Sequence, residues 1–137
     1  MNANCIFCKI VAAEIPAHKV YEDEKCLVFL DIFPLMPGHA LLIPKQHEPD
    51  FWSLDRDLYR HCLDRIQTMA THMKSVLEPK KVGLIVSGFD VPHTHFHLIP
   101  LNSEKELTTE SLKARNLPFP TAEELAKMAE KLRMTMP

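Results

Sequence analysis

Apolar residues in this chain alternate between short dense runs and one long stretch at helical spacing. Cys5 to Val11 reads as a short helical turn, and Ile15-Pro16-Ala17 breaks it ahead of Lys19-Val20-Tyr21, an edge-strand pattern. After the turn Glu22-Asp23-Glu24-Lys25, the run Cys26 to Ile32 is nearly continuously apolar and β-branched, interrupted only by Asp31. The loop Phe33 to Gly38 then leads into a strand over His39 to Pro44, so the first three strands predict an antiparallel meander. From Ser53 to Leu77 the positions Leu58, Cys62, Ile66, Met69, Met73 and Val76 recur every three or four residues, the stripe of a long amphipathic helix that Glu78-Pro79 ends. Val82 to Val86 and His93 to Leu101 read as two further strands, and the loop Ser87 to Pro92 is short enough to make them antiparallel neighbours. Thr108 to Pro120 has little periodicity. Thr121-Ala122-Glu123-Glu124 then matches a capping box ahead of Leu125, Met128, Ala129 and Leu132, which predicts a C-terminal helix. The expected class is α+β: a five-stranded antiparallel sheet, one long helix after the third strand, and a C-terminal helical tail.

Composition narrows the function classes. At 137 residues and 46% hydrophobic content the chain is expected to form one domain, residues 1–137, with a core that needs no disulfide staples. A formal net charge of -2 gives no basic footprint for nucleic acid or an anionic membrane. No apolar run approaches the roughly 20 residues needed to span a bilayer, and no leader pattern opens the chain, so a soluble, cytoplasmic protein is expected. In that compartment the 4 cysteines read as thiols or metal ligands rather than disulfides. With only 3 glycines, neither a Walker loop nor a dinucleotide fingerprint can be built, so phosphate must be held by other means.

The chemistry concentrates in His93-Thr94-His95-Phe96-His97. Side chains alternate along a strand, so His93, His95 and His97 share one face while Thr94, Phe96 and Leu98 share the other. A solvated strand face explains one such histidine better than three. A metal site or covalent catalysis by one imidazole on a phosphorus centre both suit the pattern, and periodicity does not choose between them. Cys5-x-x-Cys8 alone is half a zinc site, and a redox pair of the thioredoxin kind would follow a strand inside a βαβ unit, which this one does not.

The order of motifs resembles the histidine triad (HIT) family. The residues that carry the resemblance are Cys5-Ile6-Phe7-Cys8-Lys9-Ile10, Ile15-Pro16-Ala17, Phe29-Leu30-Asp31-Ile32, Pro37-Gly38-His39, Ile43-Pro44-Lys45 with His47, and His93-Thr94-His95-Phe96-His97-Leu98-Ile99, spread over roughly residues 5–101. It implies a HIT-like fold over that core, with residues 102–137 as a tail. It implies a hydrolase or nucleotidyl transferase that attacks the α-phosphorus of a purine nucleotide through a nucleotidyl-histidine, with His95 as nucleophile. His97 and His39 would orient it and stabilise charge on the phosphate oxygens. Asp31 would hold the ribose hydroxyls, although capping of the Phe33-Pro34 turn competes with that role. Ile6, Phe7, Phe29 and Ile32 match the walls of the base pocket, positions that core packing alone also explains. Some relatives complete a structural zinc site with Cys5, Cys8, His47 and His93, and a homodimer joined sheet edge to sheet edge is also implied.

The match weakens just before the triad. Where the phosphoramidase branch has Gly-x-Ser-Val-x-His, this chain reads Gly88-Phe89-Asp90-Val91-Pro92-His93, with Ser87 where asparagine is frequent. Pro92 removes a backbone donor, and Asp90 either favours a cationic amine leaving group or caps a turn. Phosphoramidates and adenylylated amines are the preferred substrates on this reading. Dinucleoside polyphosphates are the enzymatic rival, and a low-turnover, zinc-stabilised nucleotide-binding scaffold is the alternative from another class.

Overall fold

In the computed structural model of the protein, which describes residues 2–108 and 118–134, five strands make one sheet. They are β1 (Lys19–Glu22), β2 (Cys26–Leu30), β3 (Ala40–Pro44), β4 (Lys81–Ile85) and β5 (Phe96–Leu101). Their order across the sheet is β1-β2-β3-β5-β4, and every neighbouring pair is antiparallel. The first three strands are the expected meander, and the β4–β5 hairpin docks through β5 onto β3. Helix α1 (Ile6–Val11) precedes the sheet, α2 (Arg56–Leu77) joins β3 to β4, and α3 (Ala122–Leu132) follows. The arrangement is the α+β class read from the sequence. Among the described residues no helix is long and apolar enough to cross a membrane.

All five positions of β2, and all five of β3, are buried, because the centre of the sheet is covered on both faces. Val28, Leu30, Leu42, Phe96 and Leu98 meet α2 and α3 on one side. Leu27, Phe29, Leu41 and Ile43 meet Phe7, Cys8 and Ile10 on the other. Two-sided burial is why β2 reads as a continuous apolar run rather than an alternating one. Helix α2 starts on the Asp55 carboxylate, which accepts from the Asp57 and Leu58 N–H groups, and ends on Glu78 in the left-handed region at φ 53. Its stripe Leu58, Cys62, Ile66, Met69 and Met73 is buried, and truncating a buried methionine there would cost about 2–5 kcal/mol. The capping box at Thr121 and Glu124 forms with both of its bonds, and α3 buries Leu125, Ala129 and Leu132.

Several boundaries differ from the sequence reading, among them the end of β2 at Leu30 and not Ile32, and two others bear most on the site. Strand β5 begins at Phe96, not His93, and β3 at Ala40, not His39. The His93 N–H donates to the Val91 carbonyl and the Thr94 N–H to the Glu48 carbonyl, so this stretch is held by the loop after β3 instead of pairing as a ladder. The first two histidines of the motif therefore sit in the β4–β5 connection, and only His97 is on the strand. Most of the aperiodic stretch expected over Thr108 to Pro120 lies outside the described residues, which resume at Pro118.

Candidate functional site

Because β5 lies beside β3, the loop that leaves β3 and the loop that enters β5 are neighbours. Thr94 fastens them: its N–H and its hydroxyl both donate to the Glu48 carbonyl, at 2.7 and 2.8 Å. The sheet face toward α1 then carries His97, which pairs in register with Leu41 on one side and Ile85 on the other. His95 continues that face, with its ring 4.9 Å from the ring of His97 and 5.1 Å from that of Phe7. Facedness thus survives the loss of strand geometry.

A cavity of about 580 Å3 opens over this face, within the usual size of a small-molecule site. Ile6, Phe7, Phe29, Ile32, Asp31, His39, Asp90, His95 and His97 all line it. Ser87 does not; it is exposed and stands outside the lining. Phe33, Leu35 and Val91 line the cavity although nothing in the sequence singled them out. Phe33 lies in a Pro-rich loop without periodicity, so its only sequence signal is an apolar residue next to Asp31.

Hydrogen bonds determine which ring nitrogen of each histidine carries the proton. His95 Nδ1–H donates to the His93 carbonyl at 2.8 Å. Its Nε2 has no bonding partner among the described residues, and none of their buried side-chain polar atoms is unsatisfied. That nitrogen therefore presents a lone pair to the cavity. His39 Nδ1 accepts from the Leu35 N–H at 3.0 Å, so its proton is on Nε2, which donates to His97 Nδ1 at 2.9 Å. His97 then carries its own proton on Nε2, a donor left open to the same space. Burial pushes the His39 imidazole down to about 4, with the Asp31 carboxylate partly opposing, and burial with the neighbouring His95 lowers His97. Both rings are neutral near pH 7, as this donor chain requires.

Asp31 takes part twice. Its Oδ1 accepts from the Phe33 N–H at 2.9 Å, the turn-capping bond, and its Oδ2 lies 3.6 Å from His39 Nε2. The carboxylate is 20% exposed and lines the cavity with unused lone pairs. The cap and a ligand contact are compatible.

On the far side of His93 the two cysteines and two histidines converge. Cys5 is the N-cap of α1, with its sulfur accepting from the Cys8 N–H. Cys5 Sγ lies 3.3 Å from His93 Nδ1, and Cys8 Sγ lies 3.3 Å from His47 Nδ1 and 3.6 Å from His93 Nδ1. A tetrahedral ion with sulfur at about 2.3 Å and nitrogen at about 2.0 Å sets S···N edges near 3.5 Å. The four ligand atoms all lie within 4.8 Å of one another. His93 Nε2–H donates to the Pro44 carbonyl at 2.8 Å, which turns the Nδ1 lone pair toward the sulfurs, the outer bond that a metal-ligating histidine ordinarily makes. Burial pushes the Cys5 thiol up, so its thiolate needs a cation beside it. The donor set fits a metal ion.

The family pattern described as the HIT domain matches residues 12–104. An adenosine 5′-monophosphoramidase of Saccharomyces cerevisiae is 38% identical over 109 residues, which are 77% of this chain and 67% of that protein. An adenylylsulfatase of Arabidopsis thaliana is 32% identical over 123 residues, 85% of this chain and 62% of that one. Among solved structures, a Hit-like protein from Bartonella henselae superposes with a TM-score of 0.81 at 28% identity, covering 97% of each chain. A zinc-bound histidine triad family protein from Mycobacterium smegmatis has a TM-score of 0.78 at 26% identity, covering 95% of this chain and 91% of its own.

Proposed function

This chain belongs to the HIT family, and from that premise we propose that it is a nucleotide hydrolase or nucleotidyl transferase acting on phosphoramidates and adenylylated amines of purine nucleotides. One observation carries the reading: His95 is held through Nδ1 on the His93 carbonyl, with Nε2 open to a cavity of about 580 Å3. That lone pair attacks the α-phosphorus. The bond from phosphorus to the leaving amine breaks, the amine takes up a proton from solvent, and water then cleaves the nucleotidyl-histidine to release the mononucleotide. His97 Nε2–H donates to a phosphate oxygen, and His39 holds His97 in the tautomer that can do so. Asp31 accepts from the ribose hydroxyls, while Ile6, Phe7, Phe29 and Ile32 enclose the base.

The lining favours an amine conjugate over a polyphosphate. Its described residues include two carboxylates, Asp31 and Asp90, and neither lysine nor arginine. A chain of phosphates would meet two like charges and no permanent cation, whereas an amine leaving group meets the opposite charge of Asp90.

Cys5, Cys8, His47 and His93 would hold zinc. A site closed by four protein ligands supplies a structural cross-link, here between the N-terminal helix and the histidine loop. The relative from Mycobacterium smegmatis is described as zinc-bound, and the donor geometry above supports the same ion. A homodimer is consistent with the open edge of β4, where Leu84 is 49% and nearby Phe89 94% exposed.

The test pairs a fluorogenic adenosine phosphoramidate with diadenosine polyphosphate. Wild type is expected to turn over the first far faster, and His95→Ala to be inactive. Turnover of neither substrate, with the variant indistinguishable from wild type, removes catalysis from this site. A trapped adduct on another residue removes His95 from its role.

A further inference from the structure

The HIT match stops at residue 104, yet a segment beyond it stands behind the nucleotide cavity. Pro118, Phe119 and Pro120 lead into α3 and face the turn from Pro34 to Gly38 across a second cavity of about 250 Å3. The Phe119 ring packs edge-on against Phe33, with centroids 5.1 Å apart and planes at 76°. Phe33 in turn lines the larger cavity with His95 and His97. The two rings are 60% and 51% exposed, so the core holds neither.

Both ends of this contact rest on fixed structure. The Leu132 carbonyl of α3 accepts from His72 Nε2–H at 3.1 Å, and the Met134 N–H donates to the Val20 carbonyl at 3.0 Å, which ties α3 to α2 and β1. The turn is pinned by the His39 N–H on the Met36 carbonyl and the Leu35 N–H on His39 Nδ1, both at 3.0 Å, with Gly38 at φ +93. Phe33 lies between that pinned turn and Asp31, which accepts its N–H. Its side chain is the part left to be immobilised, and Phe119 supplies the ring that does so.

We propose that Phe119 is a positioning residue that holds Phe33 as a wall at the nucleobase end of the cavity and thereby sets how tightly the base is bound. The inference rests on reading the cavity as a nucleotide site. A ring already immobilised loses less side-chain freedom when a ligand packs on it, so binding is tighter for the same contacts. An edge-to-face pair is strong enough to move affinity by about two- to tenfold. Its effect is expected on the base, because Phe33 packs its ring on Phe119 and not on His95 or His97, the groups assigned to phosphate.

The experiment measures binding of AMP, and separately of ribose 5-phosphate, by calorimetry to wild type, Phe33→Ala, Phe119→Ala, Phe119→Tyr and the double alanine variant. Phe119→Ala is expected to weaken AMP by about two- to tenfold, to leave ribose 5-phosphate unchanged, and to add nothing on top of Phe33→Ala. Phe119→Tyr should bind AMP as wild type does. Unchanged AMP affinity in Phe119→Ala overturns the inference while sparing the nucleotide reading, as does full additivity or an equal loss on ribose 5-phosphate. Wild type that binds no AMP overturns both.

Discussion

His39 Nε2 stands 2.9 Å from His97 Nδ1, and the direction of that bond is set by the backbone of the loop between β2 and β3. The Leu35 N–H occupies His39 Nδ1, so a neutral His39 can only donate to His97, and His97 can only offer Nε2–H to a ligand. His39→Ala should therefore lower turnover about ten- to a hundredfold, the usual effect of losing a partner that orients a reactive group, with KM little changed. A larger change in KM than in kcat would mean that His39 binds substrate directly.

The same residue leaves a mark on stability. Burial depresses the imidazole of His39 from 6.5 to about 4 in the fold, so between those values the unfolded chain binds a proton that the folded chain refuses. Stability is then greatest above about pH 6.5 and declines as pH falls toward 4. Denaturant midpoints across this range should show that slope in wild type, and His39→Gln should flatten it. An unaltered slope in the variant would assign the acid sensitivity to other groups.

Asp90 bears on which leaving group is accepted. It is exposed and lines the cavity, so its attraction for a cation is that of a screened surface pair. Asp90→Asn should reduce the preference for a phosphoramidate with a cationic amine, relative to one with a neutral amine, by about two- to fivefold. The preference in wild type should shrink as salt is raised. An Asn variant that retains the full preference confines Asp90 to the loop.

The cluster of Cys5, Cys8, His47 and His93 predicts metal in the purified protein. Elemental analysis is expected to find zinc in wild type and a loss in Cys5→Ser, with the midpoint of thermal unfolding down by roughly 5–10 °C. His95 lines the cavity and is not one of the four clustered ligands, so residual activity per folded molecule should exceed that of His95→Ala. Metal-free wild type ends the assignment.

Much of this was legible in the chain because one short period governed it. Alternation predicted one face for His93, His95 and His97, and the structure sets the rings of His95 and His97 together on the face of Leu41 even though the strand starts only at Phe96. The helical stripe of α2 was equally plain, since each of its buried residues lies three or four positions from the next. The start of β5 was not legible: the competitor for its backbone, the Glu48 carbonyl, is 46 residues away from Thr94. Phe33 and Phe119 escaped for a related reason. Their partnership depends on a loop and a tail meeting across the fold, and neither segment has a period to read.

A last prediction concerns Asp23, which the sequence presented only as part of a turn. Its carboxylate accepts from the Tyr21 hydroxyl at 2.6 Å, the Lys25 and Cys26 N–H groups at 2.8 Å each, His61 Nε2–H at 2.7 Å and Arg65 Nε–H at 3.2 Å. Burial opposes the charge, but these bonds outweigh it and hold the carboxyl well below the usual carboxylate range. For a depressed acid the contribution is complete above the unfolded value of about 3.9 and is lost as pH falls toward the folded one. This window lies below the one assigned to His39, so the two can be separated in a single titration of stability. Asp23→Asn keeps an acceptor for the two backbone N–H groups and loses the charge that holds His61 and Arg65 of α2 against the β1–β2 turn. It should cost about 1–3 kcal/mol at neutral pH and abolish the decline below about pH 4. If wild type and Asp23→Asn lose stability in parallel below that pH, the network is held by packing and its charge is incidental.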